Sequence, residues 1–352
     1  MVDLVRFTPG VEWVGCSCLR NSADPKMVDE MARHVPVHGF AEDAVRPLLA
    51  TTDVLVCWGP NSLDRAIPSD YPGKVVVVSH AAEVPWTAAV IRGGMASATH
   101  WVAVSEAAKR PYQGLVDLDR VTVIPNGIDP QRSLPRQGRE ATRRSIGLGS
   151  GEIVIGSIGR VSPAKWPLLL AEAVSRLGPP YRALYAGSWL TDESLREQIE
   201  KMLPARVTLL PAALDVGDLW AAIDVFALAS RAEGFGLAVC EALYAGVRVV
   251  SGRVGVLIDI AAEHGVLWEE IPENATADDL ARAIRTTLEM PTEAWAQRKA
   301  AARRAIDQKY LAAQMGQRWG DYLRRIVRGQ GRKVEGGRRR GEGWFLGSTL
   351  SS

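Results

Sequence analysis

The sequence predicts an α/β protein with two doubly wound parallel sheets in separate domains. Three observations predict it. Short β-branched runs alternate with helical stretches along the chain, the pattern of right-handed strand–helix–strand crossovers. Most of those runs are continuously apolar rather than alternating, as strands covered on both faces are. A break rich in Pro, Gly and Arg separates two sets of strands, as an inter-domain connection does. The 352 residues suffice for about two domains of roughly 150 residues each.

From the N-terminus, the predicted strands are Val2–Phe7, Val54–Trp58, Val75–Ser79, Trp101–Val104 and Val121–Ile124. Val11 to Leu49 gives poor strand signals. After the break come Ile153–Ile158, Arg182–Ala186, Val207–Leu210, Val225–Ala229 and Val247–Ser251. Helices fill the gaps at Ala41–Leu49, Thr87–Ser97, Lys165–Arg176, Asp192–Met202, Leu237–Ala245 and Ala277–Leu288, and Ala301 to Val327 is helical in pattern. The expected organisation is an N-terminal domain (1–129), which the resemblance described below makes a shortened one, a linker (130–151) and a second domain (152–310). A C-terminal helix (311–327) returns to the first domain, and a basic, disordered tail (328–352) follows.

Composition excludes several classes. Hydrophobic residues at 47% and charged residues at 23% rule out disorder as the dominant state. A formal net charge of +2 argues against a dedicated nucleic-acid binder. The charge is unevenly spread: residues 324–352 carry a net +6, which leaves residues 1–323 at −4. Cys16, Cys18, Cys57 and Cys240 have neither disulfide-scaffold density nor zinc-site spacing, so they read as reduced thiols and no metal is expected. No apolar run reaches the roughly 18 residues of a membrane span, and Met1 to Gly10 lacks a signal-peptide core. The expected location is cytoplasmic.

In open parallel sheets, ligands bind outside the carboxyl ends of the strands. His80, Asn126, Gly159, Arg160, Lys165, Gly187, Glu233, Gly234 and Gly236 all stand at or just beyond predicted strand ends. The stretch Ser230–Leu237 (SRAEGFGL) is the most informative. Its glycines let backbone approach a ligand, and the N–H groups of the following helix suit a phosphate. Glu233 precedes that helix and Glu241 lies inside it. Their carboxylates suit sugar or ribose hydroxyls better than phosphate. Read alone, Glu233 could equally cap the helix and Glu241 could sit on a solvated face.

Glu233 and Glu241, with seven residues between, match the EX7E motif. Together with Asp224–Val250 (DVFALASRAEGFGLAVCEALYAGVRVV), Val121–Asp129 (VTVIPNGID), Ile155–Lys165 (IGSIGRVSPAK) and Trp101–Ser105 (WVAVS), the chain resembles the family-four group of retaining glycosyltransferases. The resemblance implies a GT-B fold, two doubly wound Rossmann-like domains facing across a cleft. It implies transfer of a sugar from a UDP- or GDP-type donor to an acceptor hydroxyl. Glu233 would bind the donor sugar, helped by backbone around Gly234, Phe235, Gly236 and Leu237. Glu241 would hold the ribose. Arg160 and Lys165 would neutralise the departing diphosphate. His80 would orient the sugar or acceptor. Gly10, Asn126 and Gly187 would complete the donor-side set.

The resemblance also implies that no cofactor or metal is needed. The acceptor would be a glycan or lipid-linked sugar in cell-surface synthesis. Apart from the resemblance, the basic tail with Trp344, Phe345 and Leu346 could make peripheral contact with an anionic membrane surface or serve as a solubilising tail. His34, His38, His100 and His264 match no motif and read as structural. Trp86 and Trp189 stand near strand ends, where they could stack on sugar rings or fill the core. The chain departs from the family pattern at four places. Gly10 is the lone candidate for the N-terminal glycine loop, and Trp166 follows Lys165 where glycine is common. Arg248 replaces a common proline, and the later glycine loop reads Ser251-Gly252-Arg253-Val254-Gly255. Competing readings are a nucleotide-sugar epimerase on the same fold and a non-catalytic nucleotide-sugar-binding protein.

Overall fold

The computed structural model describes residues 2–18, 25–38, 47–58, 71–82, 100–188, 193–213, 215–328 and 343–348. They fall into two compact units, residues 1–127 with 312–352, and residues 128–311. Each has its own parallel sheet.

The sheet of unit 1 comprises β1 (Glu12–Cys18), β2 (Val37–His38), β3 (Val54–Trp58), β4 (Lys74–Ser79), β5 (His100–Ala103), β6 (Val121–Val123) and β13 (Gly343–Ser348). Its order is β2-β1-β13-β3-β4-β5-β6. β3 and β4 are almost wholly buried, as their unbroken Val-rich sequences require. Two expectations need correction here. Val2–Phe7 is a helix, not a strand. It packs against helix Ala312–Arg328 so closely that a Cβ on Gly316 would lie 1.9 Å from the Phe7 carbonyl oxygen. Thr8 Oγ1 closes the helix by donating to the Leu4 carbonyl. The apolar residues of VDLVRF suit either period, and the distant helix selects the helical one. The first strand is instead Glu12–Cys18, whose Gly, Cys and Ser residues hide it from propensity.

The second correction concerns the tail. Within the segment expected to be a disordered tail, Gly343–Ser348 forms a strand parallel to both β1 and β3, with Trp344 opposite Val54 and Leu346 opposite Val56. The apolar stretch WFL between glycines supplies strand formers, and an interior position satisfies the backbone along both edges. The expected helices Ala41–Leu49 and Thr87–Ser97 fall largely or wholly outside the described residues, as do Trp86 and Trp189.

Unit 2 holds β7 (Ile153–Ile158), β8 (Tyr181–Ala186), β9 (Val207–Leu210), β10 (Val225–Leu228), β11 (Arg248–Ser251) and β12 (Glu269–Glu270), all parallel, in the order β12-β11-β10-β7-β8-β9. Helices Pro167–Leu177 and Ala277–Glu289 bury Leu170, Val174, Leu280 and Ile284 against Ile155, Ala183, Val225 and Val250 of the sheet. Ile128 and Leu311 form a parallel bridge, so the chain enters and leaves this unit at adjacent points. Helical pattern from Ala301 onward resolves into two helices, Thr292–Lys309 and Ala312–Arg328, split at Tyr310.

Residues 130–151, expected as a linker, are built into unit 2. They contain helices Pro130–Ser133 and Arg139–Ser145. Arg143 is buried and donates to the carbonyls of Ala222, Gly149 and Glu152, and to Asp224 Oδ2 at 2.7 Å. Arg139 pairs with the other Asp224 oxygen at 2.5 Å. The backbone N–H groups of Arg136 and Gln137 both donate to Asp218. The Pro- and Arg-rich composition that marks a linker here serves an ion-pair network. Among the described residues, no helix is long and apolar enough to cross a membrane.

Candidate active site

In a doubly wound sheet the ligand crevice opens at the carboxyl ends of the strands where the winding reverses. In unit 2 that point lies between β7 and β10, with β8 and β9 on one side and β11 and β12 on the other. β7 leads into Gly159 and Arg160 and then a 3-10 turn, Pro163–Lys165. β10 leads into the Ser230–Gly236 loop. Across the reversal, Lys165 Nζ donates to Glu233 Oε1 in an ion pair. Glu233 is 8% exposed and the Lys165 side chain 31%. A buried carboxylate survives in such a place when a cation and hydrogen bonds compensate for its lost water.

Local structure fixes both partners. Trp166 ends the Lys165 turn in the left-handed region, at φ +51, and begins helix Pro167–Leu177. Pro167 suits that first helical position, and its carbonyl accepts from the buried Tyr185 hydroxyl at 2.7 Å. On the other loop, Gly236 at φ +92 starts helix Leu237–Ala245 with no side-chain cap. The backbone N–H groups of that first turn therefore make an anion-friendly end. The Phe235 carbonyl accepts from Val256 N at 2.8 Å. A Cβ on Gly255 would lie 2.3 Å from the Phe235 oxygen and 3.0 Å from Glu233 Cβ. The variant glycine loop thus still buttresses Glu233, through Gly255.

The remaining residues marked in unit 2 take these places. Gly234 and Phe235 are buried, and the Phe235 ring stands edge-on to Tyr310 at 6.1 Å. Leu237 is exposed, and Glu241 is half-buried within the helix. Arg160 is exposed on the β7 exit loop. Gly187 lets the β8 exit touch that loop, because a Cβ there would lie 1.7 Å from the Gly159 carbonyl oxygen.

His80, Asn126 and Gly10 belong to unit 1. His80 follows β4, and its ring stacks on Trp58 with centroids 4.9 Å apart. Trp58 in turn stacks on Trp319 of helix Ala312–Arg328 at 6.2 Å. His80 Nε2 is buried and has no hydrogen-bond partner among the described residues. Burial pushes its pKa down to about 3, so the imidazole is neutral near pH 7. Asn126 is half-buried beyond β6. Gly10 follows a helix rather than a strand, and Arg324 reaches past it to the Pro9 carbonyl at 2.7 Å. The glycine loop expected after a first strand is therefore not formed at Gly10. His34 pairs with Glu30 at 3.4 Å, and His100 meets Tyr322 edge-on. Cys16, Cys57 and Cys240 are buried thiols, and burial raises the Cys57 pKa to about 12.

Arg231 belongs to the same loop as Glu233, at a position that no strand end or helix start marks in the sequence. Its guanidinium carbon lies 3.4 Å from the centroid of the Trp166 ring. A basic residue two places before Glu233, opposite an aromatic residue one place after Lys165, was the available signal.

Residues 138–306, which lie within unit 2, match the family model described as Glycosyl transferases group 1. The structure is similar to that of Anabaena Alr3699/HepE in complex with UDP and glucose, with TM-score 0.78 and 22% identity over 92% of this chain and 94% of that one. It is also similar to WaaG, a glycosyltransferase involved in lipopolysaccharide biosynthesis, with TM-score 0.66 and 17% identity over 90% and 100% of the two chains. The protein has the GT-B fold.

Among curated proteins, the D-inositol 3-phosphate glycosyltransferase of Rhodococcus erythropolis is 33% identical over 189 residues, covering 50% of this chain and 42% of that protein. The same enzyme of Mycobacterium tuberculosis (strain F11) is 35% identical over 158 residues, covering 43% and 32%. The chain thus spans less than half the length of these curated relatives.

Proposed function

We propose that this protein is a retaining glycosyltransferase. It moves a sugar from a UDP- or GDP-type nucleoside-diphosphate donor to an acceptor hydroxyl in cell-surface glycan or glycolipid synthesis. The Lys165–Glu233 pair at the β7–β10 reversal is the observation that carries this reading. It sets a cation for the diphosphate beside a carboxylate for the sugar hydroxyls. Relatives that act on inositol phosphate and a neighbour crystallised with UDP and glucose add weight to it.

The chemistry follows from the charges. Breaking the anomeric C–O bond sends an electron pair to the diphosphate, and Arg160 and Lys165 stabilise the charge that develops there. Helix Leu237–Ala245 contributes its positive end. Glu233 accepts hydrogen bonds from the sugar hydroxyls and resists their movement as the ring flattens. Glu241 accepts from the ribose diol. The acceptor oxygen attacks on the face the diphosphate leaves, and its proton passes to the leaving phosphate. No side-chain nucleophile is required, and the anomeric configuration is kept. His80, neutral through its burial, orients the sugar or acceptor by hydrogen bonding rather than acting as a cation. The two side-chain cations do the neutralising work, so the reaction needs no metal or cofactor.

A panel of UDP- and GDP-sugars, each with and without candidate glycan and lipid-linked acceptors, tests the reading. Wild type is expected to transfer from one donor with retention, and Glu233→Ala to lose most of that activity. Donor turnover that ignores acceptor altogether would point to the epimerase. Equal activity in Glu233→Ala would remove the carboxylate from the mechanism.

A further inference from the structure

Two adjacent residues on one loop grip two residues on the other. Lys165 pairs with Glu233, and Trp166 stacks with Arg231. The Trp166 ring also packs against the buried core of unit 2. One face of that loop is thus anchored to the core and another to a guanidinium. Trp166 holds a left-handed backbone conformation that large side chains seldom adopt, and its ring contacts must offset the strain.

We propose that the Trp166–Arg231 stack is a positioning clamp, which keeps Lys165 at the donor site when a nucleoside diphosphate draws its ammonium away from Glu233. This rests on the reading that Lys165 receives the diphosphate. An ammonium engaged with Glu233 must exchange partners, wholly or in part, to neutralise phosphate. Donor binding therefore loosens the first contact between the loops at the moment Lys165 is needed. The second contact does not depend on that exchange. Arginine stacks through its planar face and leaves its N–H edge available, so Arg231 can remain on the ring beside a bound anion. The clamp thus holds the loop that carries Lys165 in both states. Trp166 and Arg231 act through Lys165 and are positioning residues.

The full-length chain and its variants are titrated with UDP and with GDP by calorimetry. Trp166→Gly suits the left-handed backbone, and Trp166→Phe keeps a ring. Trp166→Gly and Arg231→Ala are expected to weaken binding of the preferred nucleotide by about 3- to 30-fold, the range such stacks support. Trp166→Phe and Arg231→Lys are expected to stay within about 3-fold of wild type. In a Lys165→Ala background the effect of Trp166→Gly is expected to vanish, because the clamp has nothing left to position.

A purely structural role would leave that effect intact, and an undiminished loss in the double variant overturns the clamp. So does wild-type affinity in both Trp166→Gly and Arg231→Ala, while leaving the donor-site reading standing. Failure of wild type to bind either nucleotide overturns the donor-site reading, and the clamp with it. Thermal melts of each variant confirm that folding is retained.

Discussion

The two units handle the same architecture differently. Unit 2 is built from one continuous stretch of chain, and its strands β7 and β9 coincide with the apolar runs that announce them. Its candidate site joins two neighbouring strand exits through short-range geometry. Unit 1 is assembled from both ends of the chain. Its sheet carries a strand from residues 343–348 between β1 and β3, and its first helix is shaped by packing on Ala312–Arg328. Its marked histidine is held by a ring stack that ends on Trp319 of that same helix. In both units the strands that pair with their chain neighbours advertise themselves in sequence, β3 to β6 of unit 1 included, whereas a strand supplied from far along the chain does not.

Four perturbations probe this contrast, from the largest expected effect to the smallest. Arg143→Ala removes the buried cation that ties residues 138–149 to Asp224. It should destabilise unit 2 by about 3–5 kcal/mol. Denaturant unfolding should show the loss in unit 2 alone, and an equal loss in both units would deny their independence. Lys165→Ala removes one cation from the leaving-group side. It should lower the transfer rate by about 10²- to 10³-fold, or about 2.7–4 kcal/mol, and lower the melting temperature as well, because buried Glu233 loses its cation. A rate within twofold of wild type would move diphosphate recognition elsewhere.

Gly316→Ala places a Cβ into the Phe7 carbonyl. It should cost unit 1 about 1–3 kcal/mol by forcing the two helices apart, while unit 2 keeps its melting transition. Unchanged stability would mean that helix Val2–Phe7 is not held by this contact.

The gentlest test is pH. The folded His80 pKa lies near 3, below its ordinary value of 6.5. Above 6.5 both folded and unfolded forms are neutral and the stability is full. As pH falls from 6.5 toward 3, the unfolded chain takes up a proton that the folded one refuses, so unit 1 loses stability. His80→Asn should flatten that slope in melts collected across the interval, and an unaltered slope would assign the titration to other groups. NMR of the imidazole should show it neutral at pH 5.

How much of the site the sequence shows differs by residue. Lys165, Glu233 and Gly236 were marked because strand ends and helix starts leave a trace in sequence. The structure adds that the first two touch. Gly187 was marked as a donor contact, and its structural task is to let two loops meet. Gly10 was marked because a strand was expected before it. The helix found there depends on Gly316, some three hundred residues away, and no local pattern encodes that. Residues 130–151 are part of unit 2 rather than a linker for a related reason. Proline and arginine are common in connectors, and only Asp218 and Asp224, far along the chain, reveal that these arginines and backbone N–H groups have buried or fixed partners.

By itself, the sequence determined the α/β class, the parallel sheets and the strand-end residues of unit 2. These rest on hydrophobic period and on glycine and charge placed a few residues apart, which are short-range properties. The tertiary structure alone decided that Val2–Phe7 coils, that residues 343–348 join a sheet begun at residue 12, and that Trp166 and Arg231 stack beside Lys165 and Glu233. Each of those depends on a partner brought close by folding, and the energy of such contacts is fixed by distance in space rather than along the chain.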